Sequence, residues 1–307
     1  MKKLSLIFIA VVLMNTTIQA QENSIQKQII ELHKGSKKLR DSVGVLIKEC
    51  DLSIEKTTDS IAVEKLSKRL TYLWSIFDAS LREQVKNDLD FALLHPSSLL
   101  CAKLLLGTIQ KQEGLGFYEK YEEVYQNFST EIKTSEEGKL LAVKLKYFKQ
   151  SNIGSVAPDF TVKDINNTTL TLSEFRGKKY ILLDFWASWC APCIEDQRYL
   201  KNIYGKFSKN DFEIISISRD TDIEKWKKSI LKHKTYIWKH VCIVSDLNSC
   251  DAIIEEREKS IDVNYFVSSI PHYVLVDKNG IIMGKWKNSG ELNMQQLEQK
   301  LAETFEN

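Results

Sequence analysis

The sequence has 307 residues, including 43 Lys or Arg, 41 Asp or Glu and six Cys, and 43% of its residues are hydrophobic and 10% aromatic. This length predicts two domains, because folded domains average about 100–200 residues, and the apolar content excludes a disordered chain. The near balance of basic and acidic residues argues against a nucleic-acid-binding protein, and six Cys are too few for a disulfide scaffold.

Residues 1–20 have the pattern of a targeting segment rather than of a folded element. Lys2 and Lys3 give a positive start, Leu4 to Met14 form an apolar run, and the polar stretch that follows ends in Ala20. The apolar run is too short to cross a bilayer core of about 30 Å. We expect a secretory signal peptide cleaved after Ala20, with an uncleaved N-terminal anchor as the alternative. No Cys lies near the cut, so a lipid anchor is not expected, and removal of the two lysines leaves a mature chain without net charge.

Residues 21–152 have the pattern of an all-α domain. Gly is scarce there, and apolar residues recur at spacings of three and four, as in the series Leu66, Leu70, Leu73, Trp74 and Phe77. We predict five or six helices in this half, one of them over Leu99 to Gln110 with Ser97 or Ser98 as its N-cap.

The helical half contains no catalytic group of residues. His33 and His95 are isolated, and Cys50 and Cys101 lack the spacing of metal ligands, so surface imidazoles and buried thiols are expected. A disulfide between Cys50 and Cys101 stays open, because pairing cannot be deduced from sequence.

The pattern changes after a short polar linker at Ser151 to Gly154, and residues 153–307 alternate short strands with helices. The apolar run Tyr180 to Trp186 is typical of a buried central strand. An Asn279-Gly280 turn signal predicts a hairpin. We therefore predict an α/β sandwich with a mixed sheet. The strands are expected at Phe160–Val162, Thr169–Leu172, Tyr180–Trp186, Phe212–Ser218, Tyr273–Asp277 and Ile281–Lys285, and the helices at Cys193–Phe207, Asp222–His233 and Leu292–Thr304.

The chemistry is expected where the first long strand meets its helix, at Cys190-Ala191-Pro192-Cys193. Unpaired N–H groups and the dipole at a helix N-terminus stabilise a thiolate, so Cys190 is the predicted nucleophile. Cys193, one turn further along, is predicted to resolve the mixed disulfide. A zinc site is the alternative, but Cys242 and Cys250 give no second CxxC spacing, and no metal or cofactor is expected.

Residues Asp184 to Cys193, Asp-Phe-Trp-Ala-Ser-Trp-Cys-Ala-Pro-Cys, resemble the active-site segment of the thioredoxin superfamily. Val156 to Phe160 and Leu172 to Lys178 resemble the TlpA-like branch of secreted and periplasmic thiol:disulfide oxidoreductases. The resemblance covers residues 153–307 and implies a thioredoxin-like domain, with a mixed central sheet flanked by helices. The helical half more weakly resembles extensions found before such domains in some Gram-negative envelope proteins. Location in the periplasm or cell envelope of a Gram-negative bacterium is therefore implied.

The same resemblance assigns roles to residues outside the CxxC pair. Pro271 matches the cis-proline that faces the pair, with the Ile270 backbone presented to an extended substrate peptide. Asp184 matches the buried acid beneath the second cysteine, which can take the Cys193 proton. Many TlpA-like members lack this acid, so its presence favours reduction. The residues implied to contact the substrate are Trp189, Ala191, Pro192 and Ile270.

The sequence departs from the family pattern in two places. His272 follows Pro271 where the family usually has Thr, and it either modulates the thiolate or only fills space. Far more residues separate Cys193 from Pro271 than the roughly 40 to 45 that a helix, a strand, a second helix and their loops need. An insertion is therefore predicted. It contains an extra helix over Asp222 to His233 and the segment Tyr236 to Asp251, in which Cys242 and Cys250 are either paired or free.

The expected function is reduction of protein disulfides, supplied with electrons by an unidentified dithiol donor. A peroxiredoxin would need Thr three residues before its reactive Cys, and Ala187 stands there. A scaffold that binds partners through a helical docking domain is the alternative from another class, but both active-site Cys are present. The dipeptide between the two Cys does not fix the redox potential, and no client protein is identified.

Overall fold

The computed structural model describes residues 2–109, 116–209, 211–243, 260–287 and 289–305. The chain divides into two compact units, Met1–Ala142 and Val143–Asn307. The division falls within a helix, ahead of the polar linker predicted at Ser151 to Gly154.

Among the described residues, six α-helices precede the first strand, in agreement with the predicted five or six. The first runs without a break through the predicted signal segment, and the last crosses the division between the units. No helix of the described ranges is both long enough and apolar enough to span a membrane. The helices are α1 (Lys2–Lys56), α2 (Ser60–Leu94), α3 (Leu99–Ile109), α4 (Tyr118–Asn127), α5 (Thr130–Thr134) and α6 (Glu136–Gln150).

The two cysteines of the helical unit are buried free thiols. Cys50 packs between α1 and α2 with Val43, Ile47 and Leu73. Cys101 lies in α3, and burial raises the pKa of its thiol to about 11. The sequence did not decide whether Cys50 and Cys101 form a disulfide, and in this structure they do not.

The α/β unit contains a five-stranded mixed sheet, which confirms the predicted fold class. The strand order is β5-β4-β3-β6-β7; β3, β4 and β5 are parallel, whereas β6 and β7 are antiparallel to their neighbours. Two short strands form a separate antiparallel pair. The strands are β1 (Thr161–Lys163), β2 (Thr169–Thr171), β3 (Tyr180–Trp186), β4 (Phe212–Ser218), β5 (Lys239–Cys242), β6 (His272–Val276) and β7 (Ile282–Lys287), and the helices are α7 (Ala191–Phe207), α8 (Ile223–His233), α9 (Ile261–Asn264) and α10 (Glu291–Phe305).

The predicted insertion forms both a helix and an additional strand. Asp222 caps α8 by accepting hydrogen bonds from the Glu224 and Lys225 amides. The chain then returns as β5, which pairs in parallel with the second half of β4. The sequence did not predict β5, because this four-residue strand lacks a clear alternation and gains its hydrogen bonds from β4. Cys242 is a free thiol at its end, whereas Cys250 lies outside the described residues.

The central strand β3 divides the core into two layers. Leu183 and Phe185 point to the layer that contains Tyr265. Leu182 points to the opposite layer, where α7 and α10 pack on the sheet. Because side chains alternate along a strand, Asp184 shares the α7 face with Leu182. The fold thus places this carboxylate beneath the helix that carries Cys193.

Candidate active site

Cys190 and Cys193 form a disulfide at the junction of β3 and α7. Cys190 is the N-cap of α7, and its Sγ accepts a hydrogen bond from the Cys193 amide at 3.3 Å. Pro192 lies in the first helical turn, where its missing N–H leaves no hydrogen bond unmade. After reduction, the Cys190 sulfur would face the positive end of the helix dipole, and this favours its thiolate.

The disulfide is buried, whereas the residues around it are exposed. Cys190 and Cys193 are 5% and 2% exposed, and they pack in a cluster with Trp186 and Trp226. The side chain of Trp189 beside them is 67% exposed. Ala191 and Pro192 are exposed as well. The residues predicted to contact a substrate therefore supply the accessible surface next to the disulfide.

The segment Ile270-Pro271 meets the CxxC pair although it lies far from it in sequence. The peptide bond between the two residues is cis, as the resemblance implied. Pro271 is buried, and Ile270 is partly buried against the cluster that contains Cys190 and Cys193. Ile270 thus packs beside the redox pair.

Asp184 is buried on the α7 side of the sheet, with 2% exposure. The Ser216 hydroxyl donates to its Oδ2 at 2.6 Å, and the Trp238 indole N–H donates to the Ser216 Oγ at 2.9 Å. Burial raises the pKa of Asp184 to about 7, against the opposing effect of the Ser216 hydrogen bond. An acid with this pKa can both release and accept a proton near neutral pH.

A second buried carboxylate, Asp196, lies on α7 near Asp184 and was not predicted. The Tyr273 hydroxyl donates to its Oδ2 at 2.9 Å, and the Gly290 amide donates to its Oδ1 at 3.2 Å. Burial raises the pKa of Asp196. The negative charge of Asp196 further raises the pKa of Asp184. Asp196 lies three residues after Cys193, a helical spacing that could have placed it on the same buried face.

Comparison with known proteins places this geometry in a family. The AhpC/TSA family model matches residues 153–285. The thiol-disulfide oxidoreductase ResA of Bacillus thuringiensis subsp. konkukian is 31% identical over 154 residues, which cover 50% of this chain and 79% of that protein. The chain belongs to the AhpC/TSA family. Its relatives also include ResA of Geobacillus kaustophilus, 29% identical over 149 residues, which cover 48% of this chain and 76% of that protein.

Two solved structures similar to this AhpC/TSA-family chain come from Bacteroides. The thioredoxin domain of a thiol-disulfide oxidoreductase from Bacteroides vulgatus is 31% identical, with a TM-score of 0.40, and the match covers 49% of this chain and 98% of that one. A thiol:disulfide interchange protein from Bacteroides sp. is also 31% identical, with a TM-score of 0.41 and coverage of 51% and 91%. The proteins named here are all thiol-disulfide oxidoreductases or interchange proteins by name. The curated relatives agree with the enzyme class predicted from the sequence.

His272, which departs from the predicted family pattern, is a buried residue at the start of β6. Burial and the charges of Lys285 and Lys287 hold the pKa of its ring well below the usual range. The ring is therefore neutral at pH 7, and it contacts the edge of Phe185 with ring centroids 6.1 Å apart. It brings no positive charge to the redox pair of this AhpC/TSA-family protein.

No group of three His, Cys, Asp or Glu side chains that could hold a metal ion occurs within the described ranges. The sulfur atoms of Cys190 and Cys193 bond to each other instead. A cysteine pair that forms a disulfide at a helix N-terminus can exchange disulfides with other thiols.

Proposed function

We propose that this protein is an exported thiol-disulfide oxidoreductase that reduces disulfides of protein substrates in the cell envelope. The observation that carries the proposal is the Cys190–Cys193 disulfide at the N-terminus of α7, with the buried acid Asp184 on the facing side of the sheet. The membership of the AhpC/TSA family and the names of the relatives support it.

The first step is attack by the reduced Cys190. Its thiolate attacks one sulfur of the substrate disulfide, forms a mixed disulfide and expels the other substrate sulfur as a thiolate. The helix N-terminus and the Cys193 amide stabilise the attacking sulfur. The exposed Trp189, Ala191 and Pro192, together with the Ile270 backbone, are the surface that would hold the substrate segment during this step.

The second step is attack by Cys193 on the Cys190 sulfur of the mixed disulfide. Asp184 takes the Cys193 thiol proton, the Cys190–Cys193 disulfide forms, and the second substrate sulfur leaves as a thiolate. Two electrons have then moved from the enzyme to the substrate. A dithiol donor restores the reduced pair and is itself oxidised to a disulfide.

A peroxidase would need a group that orients peroxide beside the reactive sulfur. Ala187, three residues before Cys190, is fully buried and has only a methyl group to offer. The site therefore supports disulfide exchange better than peroxide reduction.

The test of this function combines an assay with a trap. The protein with a dithiol should reduce insulin faster than the dithiol alone does. Cys193→Ser should accumulate a mixed disulfide with envelope proteins, because the second step is blocked, and mass spectrometry should locate the bond at Cys190. Cys190→Ser is the matched control and should trap nothing. A wild type that adds nothing to the dithiol rate would contradict the proposal.

Export is tested separately. When the full chain is expressed in a Gram-negative bacterium and the cells are fractionated, we expect it in the periplasm with Gln21 as its first residue, as measured by mass spectrometry. The physical reason is the positive start and short apolar run of residues 1–20. Replacement of Lys2 and Lys3 by Glu should retard export. Recovery of the wild type in the cytoplasm with the segment intact would refute the signal peptide.

The proposed function includes the domain limits predicted from the sequence. These limits are residues 21–152 for the helical domain and residues 153–307 for the thioredoxin-like domain.

A further inference from the structure

Asp220 is a buried carboxylate near the redox pair that neither step of the proposed reaction uses. It follows β4, and it is 1% exposed. Its Oδ2 accepts hydrogen bonds from the Ser188 amide at 2.8 Å and the Ser218 hydroxyl at 2.6 Å, and its Oδ1 accepts from the Ser188 hydroxyl at 2.6 Å. A buried carboxylate is costly unless it is hydrogen-bonded, and three donors from two serines meet that need.

The residue that donates two of these hydrogen bonds to Asp220 lies in the loop that leads to the reactive cysteine. Ser188 is two residues before Cys190, whose own amide donates to the Ala187 carbonyl at 3.1 Å. The neighbouring Arg219 amide donates to the Trp186 carbonyl at 2.9 Å. Two successive residues after β4 therefore hold the loop between β3 and α7.

The inserted segment also contacts Asp220, through the backbone carbonyl of that residue. The Cys242 thiol donates to the Asp220 carbonyl at 3.2 Å, and the Ile243 amide donates to the Ser218 carbonyl at 2.8 Å. Burial raises the pKa of Cys242 to about 11, so its thiol keeps the proton that it donates. The loop before Cys190, the end of β4 and the end of β5 thus meet at Asp220.

We infer that Asp220 is a positioning residue that, through Ser188, fixes Cys190 at the N-terminus of α7. The inference rests on the proposed function for its biological meaning, whereas the contacts that support it concern only the position of Cys190. A displaced sulfur loses the alignment with the Cys193 amide that favours its thiolate, and displacements of about 1 Å can cost an enzyme up to about a hundredfold in rate.

Two uncharged variants of Asp220 distinguish its role in positioning Cys190 from any effect of its negative charge. In Asp220→Asn the amide oxygen can accept from the Ser188 N–H, and the amide nitrogen can donate to the Ser188 hydroxyl after that hydroxyl turns. Asp220→Ala removes both contacts. We expect the reduced Asp220→Ala protein to react with iodoacetamide at Cys190 about tenfold more slowly at pH 7 than Asp220→Asn. Its kcat for insulin should fall in parallel.

The Ser188→Ala variant tests whether Asp220 acts on Cys190 through Ser188. It should slow the alkylation of Cys190 while Asp220 is present and add nothing in the Asp220→Ala background, since coupled residues are not additive. This variant keeps the test available if Asp220→Ala fails to fold. Asp222→Ala is the matched control: it removes the cap of α8 and lowers the unfolding temperature, yet it should leave the alkylation rate unchanged.

Equal alkylation rates for Asp220→Asn and Asp220→Ala, or an unaltered rate in Ser188→Ala, would overturn the inference. A reduced unfolding temperature with a normal rate for the folded protein would show that Asp220 only stabilises the fold, and this also overturns it. Alkylation needs no protein substrate. A wild type that does not reduce insulin would therefore contradict the proposed function while the inference about Asp220 is still decided.

Discussion

Cys190→Ser is expected to abolish catalysed disulfide reduction and to leave only the background rate of the dithiol. A serine hydroxyl does not ionise near neutral pH, so no nucleophile remains at the N-terminus of α7. The loss should be on the order of a thousandfold or more, which is typical of removing a nucleophile. Insulin turnover followed by turbidity measures it, with circular dichroism as the check on folding.

The matched control for this substitution is Cys50→Ser. Cys50 is also a buried cysteine, but it is a free thiol in the helical unit, and its Sγ contacts the Leu66 carbonyl at 3.6 Å. A serine hydroxyl can donate to the same carbonyl. The control should therefore keep full activity, and equal activity of Cys190→Ser and the wild type would refute the mechanism.

Asp184→Asn is expected to remove the loss of stability that Asp184 causes between pH 4 and pH 7. Burial raises the Asp184 pKa from 3.8 to about 7, so the folded chain keeps a proton that the unfolded chain has already lost within this range. Folding then takes up a proton at Asp184, and the contribution of this residue to the free energy of unfolding falls as the pH rises, by about 1.4 kcal/mol per unit. By pH 8 this costs the wild type on the order of 4 kcal/mol. The variant should therefore be more stable than the wild type at pH 8 and similar to it at pH 4.

Urea unfolding of the oxidised protein at pH 4, 6 and 8 measures this difference. Asp211→Asn is a suitable control, because Asp211 is an exposed carboxylate ahead of β4 and its positive φ of 56° is tolerated by Asn. This control should follow the wild-type curve. The comparison isolates Asp184, because the buried His272 has the opposite effect on the pH dependence and has it in both proteins. A difference in unfolding free energy between variant and wild type that is the same at all three pH values would show that Asp184 does not hold its proton in the folded state.

The same substitution is expected to slow the second step of the reaction. Without Asp184 the Cys193 proton loses its proposed acceptor, so release of the reduced substrate should slow by about tenfold or more at pH 7. The mixed disulfide at Cys190 should then persist longer, as measured by acid quenching and mass spectrometry. An unchanged lifetime would remove Asp184 from the mechanism while leaving the stability prediction intact.

The sequence was sufficient to predict the elements that carry the redox pair. The strands Tyr180–Trp186 and Phe212–Ser218 have the predicted bounds, because short segments rich in Ile, Leu and aromatic residues are typical of buried strands. The cis bond before Pro271 followed from the resemblance alone. These features depend on local sequence or on a family motif, and both can be read without a structure.

The partners of Asp184 could not be predicted in the same way. Ser216 lies opposite Asp184 only because of the register between β3 and β4, and Trp238 reaches Ser216 from the segment before β5. The hydrogen bond between Asp196 and Tyr273 likewise depends on how α7 packs on β6. Such contacts join residues far apart in the chain, and a single sequence does not specify their pairing.

The added strand β5 also has a consequence for association between molecules. All seven residues of β4 are buried, and without β5 this apolar strand would form the edge of the sheet. An uncovered apolar edge is a template for pairing with another chain. β5 occupies the hydrogen-bonding groups along Ile215–Ser218 and ends the sheet with a strand of only four residues, which begins with an exposed Lys239. The insertion thereby shields the half of β4 nearest the redox loop from edge-to-edge aggregation.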